Sequence, residues 1–269
     1  VLAAARNASG RTMVVWSAQR AADSHSVIRG AGINPDLSGF DTPVLSNDNL
    51  DPEYAPVIAA TGNTFHVVWE QSNRPSRPEF RNLWTVAASN IGLGPIRHRV
   101  AGTDDGAAWA TSPQIAGCAM LTLNCNQTLV LWKEFRPAEG SSQVMTRPVG
   151  QSGLPRTPVR LLETDASERI LEPRIVMDHS GNAVAAWRQE GAEAGVPGSV
   201  RSARYVLDRG WSPAQTLAAQ PFSNALVFSS RTPLSLSINP GTGDAAVVWQ
   251  NVLAFIGGRP TRLELSSRR

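Results

Sequence analysis

The amino-acid sequence predicts an all-β fold, a β-propeller of about five four-stranded blades. The first observation is an apolar phrase ending in tryptophan that recurs five times, with the tryptophans 53, 63, 55 and 62 residues apart by subtraction. The second is a turn residue six or seven positions before each tryptophan. The third is the pair of strand-like runs that follows this phrase in most copies. Short strands repeated at this period are typical of propeller blades, which bury their faces only by stacking on one another.

The first two strands of each copy are predicted from the residues that punctuate them. Proline has no N–H to donate to a ladder, so it is expected at the start of the first strand; these prolines are Pro56, Pro113, Pro173 and Pro233. Hairpin turns follow at residues that tolerate a left-handed backbone, Gly10, Gly62, Asn126, Gly181 and Gly243. The second strand carries the repeated tryptophan, Trp16, Trp69, Trp132, Trp187 and Trp249. Each lies beside Val, Leu or Ala, so we expect it to fill space between blades rather than to stack on carbohydrate.

A third run follows in every copy, and a fourth follows a second glycine turn in the first four copies. The resulting single domain, 1–269, divides into blades at approximately 1–49, 50–106, 107–165, 166–221 and 222–269. The last copy stops after its third run, so the last blade is predicted to be incomplete. A fragment of a longer chain, a three-stranded blade and a strand supplied by a partner all fit this pattern.

One tryptophan lies outside the repeat and is the best single candidate for a ligand contact. Trp109 occupies the connection between the second and third copies, where no other copy has an aromatic residue at equal spacing. Asp104 and Asp105 precede it in the same connection. We predict that these three residues bind a ligand, with a loop tryptophan that caps the core as the alternative for Trp109.

Two cysteines flank a predicted hairpin tip. Cys118 and Cys125 lie close enough in sequence for the two strands to bring them into bridging range, which predicts a disulfide and an oxidising compartment. Two free buried thiols are the alternative. The sequence therefore favours a secreted, periplasmic or cell-surface protein.

The charge pattern argues against nucleic acid as a partner, and the hydropathy pattern argues against a membrane helix. The net charge is +3 and the arginines are scattered rather than clustered, which makes nucleic acid an unfavourable partner. No apolar run reaches the length of a membrane helix, and Val1 to Ala5 lack the features of a signal peptide. Any export signal would already have been removed.

Metal and cofactor patterns are weak in this sequence. Acidic residues gather in the connections between copies, at 47–51, 104–105 and 163–165, and their oxygen atoms could hold calcium, although ordinary solvated turns explain them as well. The four histidines have no ligand spacing, and no phosphate loop or nucleophile elbow is present. We expect no cofactor and no catalytic residue from these patterns.

The fourth copy carries a resemblance to known repeats. Its residues Pro173-Arg-Ile-Val-Met-Asp-His-Ser-Gly-Asn-Ala-Val-Ala-Ala-Trp187 resemble repeat proteins of bacterial extracellular and cell-surface chains with the pattern Pro-x-Ile-x-x-Asp-x-x-Gly-Asn-Ala-x-Ala-x-Trp-x-Gln. The resemblance covers the chain as five degenerate copies and implies a sialidase-like or lectin-like propeller. A sialidase also needs a tyrosine nucleophile paired with a glutamate, and this chain has only Tyr54 and Tyr205.

Three functions follow as hypotheses. The main expectation is a non-catalytic extracellular or periplasmic binding or assembly module, lectin-like or an accessory subunit of a surface complex, with a glycan or protein partner. The first alternative is a sialidase-like or other glycan-active hydrolase, which needs two carboxylates in one cleft. The second alternative is a purely structural subunit completed by a partner strand.

Overall fold

The computed structural model of the chain is built from β-strands. It describes residues 2–19, 26–41, 45–46, 53–72, 80–89, 92–93, 96–103, 105–118, 127–155, 160–161, 169–190, 198–220, 234–252, 255–256, 259–260 and 263–268. None of these residues forms a helix that could cross a membrane.

The strands group into five consecutive blades. The first contains β1 (Leu2–Arg6), β2 (Thr12–Gln19), β3 (Ser26–Ile33) and β4 (Gly39–Asp41). The second contains β5 (Glu53–Thr61), β6 (Thr64–Ser72), β7 (Arg81–Ser89), β8 (Gly92–Leu93) and β9 (His98–Ala101). The third contains β10 (Trp109–Gly117), β11 (Gln127–Arg136), β12 (Ser141–Gly150) and β13 (Arg160–Leu161).

The two remaining blades follow the same plan. The fourth contains β14 (Arg169–Met177), β15 (Ala183–Glu190), β16 (Gly198–Val206), β17 (Gly210–Trp211) and β18 (Gln215–Gln220). The fifth contains β19 (Ser235–Ile238), β20 (Ala245–Val252) and β23 (Leu263–Arg268), with the separate hairpin of β21 (Phe255–Ile256) and β22 (Arg259–Pro260).

Every sheet is an antiparallel meander in chain order. In the second and fourth blades two short segments share the outer position, because β8 and β9 both pair with β7 while β17 and β18 both pair with β16. The fifth sheet has three strands among the described residues, in the order β19–β20–β23. These sheets confirm the predicted fold class, an all-β propeller of about five blades.

The first strand of each blade lies at the centre of the assembly. Contacts run from β1 to β5, from β5 to β10, from β10 to β14 and from β14 to β19, so successive first strands are neighbours around one axis. Apolar clusters fill the spaces between blades. The cluster between the second and third blades, for example, combines Val68 and Leu83 with Val130 and Trp132. The core is therefore a series of interblade layers, as expected for sheets that bury both faces.

Backbone hydrogen bonds tie the hairpin turns of neighbouring blades together at one end of the propeller. The Ala8 N–H donates to the Gly62 carbonyl at 2.9 Å, and the Gly62 N–H donates to the Cys118 carbonyl at 3.2 Å. The His179 N–H likewise donates to the Pro240 carbonyl at 2.9 Å. We call these bonds the turn belt. Gly62 can belong to it because its φ of 55° lies in the left-handed region that glycine adopts readily.

Three of the four prolines predicted at the start of the first strands, Pro56, Pro113 and Pro173, lie inside those strands instead, whereas Pro233 lies outside the described residues. β5, β10 and β14 each begin three or four residues before Pro56, Pro113 or Pro173. At each proline the pairing with the second strand shifts register, which is a β-bulge. A bulge leaves a residue out of the ladder, so proline fits there without the loss of a ladder hydrogen bond.

Candidate functional site

The candidate site lies at the end of the propeller opposite the turn belt. We call this the leading end, because the first strand of each blade begins there and the second strand ends there. The antiparallel register places Glu53 opposite Gln71 and Trp109 opposite Phe135 at this end. The hairpin turns between the same strands lie at the other end, in the turn belt.

Three strained residues lie near the leading end, one in each of three successive blades. Ala55, Ser112 and Glu172 each precede the proline of a bulge, and their φ angles are 48°, 56° and 50°. A side chain other than glycine in this left-handed region costs on the order of 1–3 kcal/mol, and such residues concentrate at functional sites. We call these three residues the bulge ring. Its repetition in three successive blades marks it as a built feature of the fold.

A buried carboxylate from one blade holds the bulge of the next. Glu70 lies near the end of the second strand of the second blade, and its Oε1 accepts a hydrogen bond from the Ser112 N–H at 2.8 Å. Its Oε2 forms an ion pair with Arg81, whose guanidinium lies 5.0 Å from the centre of the Tyr54 ring. Glu70 is only 3% exposed. It therefore fixes the backbone of Ser112 and is itself shielded from solvent.

Glu172 is the acidic member of the bulge ring and is half-buried. Its Oε2 accepts a hydrogen bond from the Leu234 N–H of the fifth blade at 3.1 Å. Ser112, the corresponding residue of the third blade, is exposed to solvent. The bulge ring thus combines a solvent-accessible hydroxyl with a carboxylate that is oriented by a backbone donor.

A second buried carboxylate, Glu53, connects the first and second blades. Glu53 has no solvent exposure, and its Oε2 accepts a hydrogen bond from the Ile28 N–H at 3.2 Å. The Glu53 carbonyl accepts from the hydroxyls of Ser17 at 3.1 Å and Ser26 at 2.7 Å. The third blade has Ala110 at the same distance before its proline. Glu53 therefore has a structural role, because its hydrogen bonds join the second blade to the first. The sequence pattern did not single out this residue.

Trp109 lies at the leading end in a cluster of three aromatic rings. Its ring centre is 5.4 Å from that of Phe80 and 5.2 Å from that of Phe135, with the planes tilted by 57° and 52°. Its Nε1–H donates to the Gly106 carbonyl at 2.9 Å. Trp109 is half-buried, so part of this aromatic cluster remains open to solvent. Such an amphipathic ring surface can cap the core and also contact a ligand.

Of the other residues predicted to bind a ligand or metal, Asp105 lies in the described part of the chain, beside the Gly106 that accepts the Trp109 hydrogen bond. Asp105 is exposed, and its Oδ1 accepts a hydrogen bond from the Ala107 N–H at 3.0 Å. Asp104 and the acidic runs 47–51 and 163–165 lie outside the described residues. Within the described part of the chain, no three acidic, histidine or cysteine side chains are arranged to hold a metal ion.

The repeated tryptophans lie between blades. Trp69, Trp132 and Trp187 have no solvent exposure, and Trp249 is 5% exposed. Each of these four packs into the apolar cluster shared with the preceding blade. Trp16 is half-buried. Within the described residues, the four buried members have no surface to offer to a carbohydrate.

Of the two cysteines, Cys118 is buried at the end of β10, next to the turn belt. Cys125 lies outside the described residues. The disulfide between them stays a prediction.

Tyr205, one of two tyrosines in the chain, is 9% exposed, and its hydroxyl accepts a hydrogen bond from Gln127 at 2.9 Å. Tyr205 thus has a structural role between the third and fourth blades.

No protein-family model and no curated protein matches the chain. Solved structures do match it across nearly its whole length. An α-L-arabinanase from Penicillium chrysogenum in complex with arabinobiose has a TM-score of 0.55 at 11% identity, covering 98% of this chain and 73% of that one. An α-L-arabinofuranosidase from Fusarium graminearum in complex with an iminosugar inhibitor has a TM-score of 0.54 at 14% identity, covering 97% and 72%. A levansucrase from B. subtilis has a TM-score of 0.51 at 8% identity, covering 93% and 78%.

These matches correct the main functional expectation. A non-catalytic binding or assembly module is contradicted, because the solved structures that share the fold are glycan-active enzymes. The expectation relied on the lack of a contiguous catalytic motif, but a propeller assembles its sites from side chains of separate blades, which one motif cannot reveal. At these identities the likeness shows the fold: the chain is a five-bladed β-propeller.

Proposed function

We propose that this protein is a glycan-active hydrolase that binds its substrate at the leading end of the propeller. The observation that carries the proposal is the likeness of the whole chain to an arabinanase, an arabinofuranosidase and a levansucrase. All three names describe enzymes that act on sugars. The bulge ring supports the location, because strained residues and bulges concentrate next to active sites.

Glu172 is the described carboxylate best placed to contact the reacting sugar. Glycoside hydrolysis commonly requires a carboxyl group beside the scissile bond that donates or accepts a proton or attacks the sugar. Glu172 is half-buried in the bulge ring, and the Leu234 N–H orients its Oε2. Glu53 and Glu70 are 0% and 3% exposed, so we assign them positioning roles rather than contact with substrate.

The aromatic cluster of Phe80, Trp109 and Phe135 is proposed as a sugar-binding surface beside this site. Its rings lie at the same end of the propeller as the bulge ring, and Trp109 is half-buried. An aromatic face excludes water from the apolar face of a sugar ring, and a few polar groups then set its orientation. In this proposal Trp109 remains a ligand-binding residue, as one of the three rings that contact the sugar.

We also propose that the enzyme acts outside the cytoplasm. The pair Cys118 and Cys125 supports this location, because a short disulfide-closed loop persists in an oxidising compartment. The proposed substrate class fits as well, since polymeric glycans are met outside the cell.

The test is hydrolysis of a panel of glycans by the wild type and by Glu172→Gln. The panel contains arabinan, levan and aryl glycosides of arabinofuranose, with release of reducing sugar or of the aryl group as the readout. We expect turnover of at least one substrate, and a fall in kcat on the order of 10²-fold or more in Glu172→Gln because the variant cannot exchange a proton. Asp208→Asn is the matched control, since Asp208 is exposed and Asn tolerates its φ of 67°. Full activity in Glu172→Gln would remove Glu172 from the reaction, and a wild type inactive on the whole panel would count against the proposed function.

A further inference from the structure

Ser112 is the exposed member of the bulge ring, and the fold fixes its backbone while leaving its side chain open. The Ser112 N–H donates to Oε1 of Glu70, in the preceding blade, at 2.8 Å. Its hydroxyl group has no hydrogen-bond partner within the part of the chain that the structure describes. Ser112 therefore presents a polar group to solvent from a backbone that cannot easily move.

The group that holds Ser112 is a buried ion pair between two strands of the second blade. Arg81 of β7 contacts the buried carboxylate of Glu70, which lies in β6. A buried carboxylate is costly unless an opposite charge and hydrogen-bond donors compensate it, and Arg81 and the Ser112 N–H supply one of each. A hydrogen bond to an ionised acceptor is stronger than a neutral one. The bulge of the third blade is therefore firmly held at the leading end.

The corresponding residue of the second blade shows that the Ser112 hydroxyl group is not needed to build a bulge. Ala55 also precedes the proline of its bulge and has a φ of 48°, although its side chain carries no polar atom. The fold thus accepts alanine at this position of the bulge ring. An exposed residue that is strained, rigidly held and carries a polar group without a structural task is expected where a ligand binds.

Ser112 also lies beside the carboxylate proposed to contact the reacting sugar. Ser112 and Glu172 hold the same position in β10 and β14, which are neighbouring strands around the axis. The Leu234 N–H binds Oε2 of Glu172, whereas Oε1 has no hydrogen-bond partner among the described residues. The third and fourth blades therefore offer a hydroxyl group and a carboxylate oxygen from equivalent positions. A serine hydroxyl both donates and accepts hydrogen bonds, which suits the hydroxyl groups of a sugar.

We propose that Ser112 is a sugar-binding residue whose hydroxyl group forms a hydrogen bond with a hydroxyl group of the sugar unit held at Glu172. Glu70 is the positioning residue that fixes Ser112 for this contact. The inference deepens the proposed function and rests on it, because it assigns a second contact to the same sugar. Ser112 exchanges no proton in the reaction, so its hydrogen bond stabilises the bound sugar and the transition state alike. Its loss should therefore raise KM and leave kcat unchanged.

The first test is Ser112→Ala, which removes a single oxygen atom. The variant is expected to fold, because Ala55 occupies the corresponding position of the second blade. The probes are arabinotriose and the fructose trisaccharide levantriose. KM and kcat are measured for a sugar that the wild type cleaves, and the Kd is measured by calorimetry for one that it binds without cleavage. We expect KM or Kd to rise about three- to tenfold through loss of one neutral hydrogen bond, with an unchanged kcat.

Ser180→Ala is the matched control for this variant. Ser180 is an exposed serine that follows His179 of the turn belt, at the opposite end of the propeller. Its substitution removes the same hydroxyl group far from the bulge ring and should keep the wild-type KM and Kd. Thermal unfolding of both variants is recorded to show that each is folded during the assay.

The second test asks whether Glu70 acts through Ser112. Glu70→Gln keeps a side-chain oxygen for the Ser112 N–H but removes the charge that strengthens this bond. We expect KM or Kd to rise in Glu70→Gln, and the double variant Glu70→Gln/Ser112→Ala to bind no more weakly than Ser112→Ala alone, because both changes affect one contact. A purely structural role for Glu70 would give additive losses. Ser112→Ala keeps the proposal testable even if Glu70→Gln does not fold.

The opposite results overturn the inference. They are an unchanged KM and Kd in Ser112→Ala, an equal rise in Ser180→Ala, or a fall in the kcat of Ser112→Ala without a change in KM. Failure of the proposed function has a different pattern. Sugars that bind the wild type more tightly than Ser112→Ala but are never cleaved would refute the hydrolase and keep Ser112 as a sugar-binding residue. Neither binding nor cleavage of either trisaccharide would count against both.

Discussion

The three middle blades and the first blade carry the same sequence signature but bury it to different depths. Trp69, Trp132 and Trp187 have no solvent exposure, whereas Trp16 is half-buried. The middle blades also contain the bulges, while β1 pairs with β2 without a register shift. The comparison teaches that a repeat signature determines how a strand pairs within its own blade, but that burial depends on the blade packed against it.

The largest expected effect comes from truncating the tryptophan in the two contexts. Trp132→Ala should lower the free energy of unfolding by about 4 kcal/mol, because it leaves a cavity in a closed interblade layer. Trp16→Ala should cost about 1–2 kcal/mol, because its side chain already contacts water. Urea unfolding curves of both variants measure the difference. Equal losses would show that the first blade is as tightly packed as the middle ones.

The buried His66 of the second blade tests how completely water is excluded from the middle blades. Desolvation lowers the pKa of His66 from 6.5 to about 4, and neither ring nitrogen has a hydrogen-bond partner among the described residues. The unfolded chain therefore binds a proton as the pH falls below about 6.5, while the folded protein stays neutral until about pH 4. Stability is fully present above pH 6.5 and should fall by about 3 kcal/mol on acidification to pH 4.

The measurement is the free energy of unfolding between pH 4 and pH 7 for the wild type and His66→Leu. The variant removes the titrating group, so the difference between the two curves isolates its contribution. His98→Gln, which replaces a half-buried histidine of the same blade, is the matched variant for comparison. Parallel curves for the wild type and His66→Leu would mean that His66 is hydrated in the folded protein.

The predicted disulfide between Cys118 and Cys125 would give the third blade, one of the middle blades, a covalent link that the first blade lacks a cysteine pair to form. Substitution of both Cys118 and Cys125 by serine should cost roughly 2–3 kcal/mol, because the short loop regains conformational entropy in the unfolded chain. The mass of the intact protein, measured with and without reduction before alkylation, reports whether the bridge exists. Alkylation of both thiols without reduction would contradict the prediction.

The smallest expected effects come from adding one methyl group by a Gly→Ala substitution, once in a middle blade and once in the first blade. A β-carbon at Gly117 would approach the Ala60 carbonyl oxygen of the neighbouring blade to 2.6 Å, so Gly117→Ala should cost about 2 kcal/mol through overpacking. At Gly39 of the first blade the nearest atom is 3.9 Å away, so Gly39→Ala should be close to neutral. Thermal unfolding compares the two, and a neutral Gly117→Ala would indicate that the blades can move apart at little cost.

The sequence alone predicted the fold because its local signals agree with one another. The repeated tryptophan, the turn glycines and the spacing of the runs all indicate short antiparallel strands, and the five sheets follow them. Pro56, Pro113 and Pro173 were assigned to the wrong place, at the start of strands rather than in bulges. A bulge depends on how two strands pair, and Pro56 alone carries no information about its partner strand.

The residues of the candidate site were harder to predict than the fold, because most of them are defined by contacts with another blade. Trp109 was singled out from its unusual position, and it does lie at the leading end. Glu70 and Glu172 were not, because each is defined by a hydrogen bond to the next blade, from Ser112 or Leu234. Such juxtapositions leave no signal in the spacing of a single sequence.

The turn belt has a consequence for how this molecule can diverge. Its bonds join backbone N–H groups to backbone carbonyls, as between Ala8 and Gly62, so they use no side-chain donor or acceptor, although the left-handed φ of Gly62 favours glycine there. Mutations can therefore accumulate in each copy while the blades stay in order around the axis. A fold secured in this way can persist while its sequence changes, and this chain shares its architecture with an arabinanase that is only 11% identical to it over 98% of the chain.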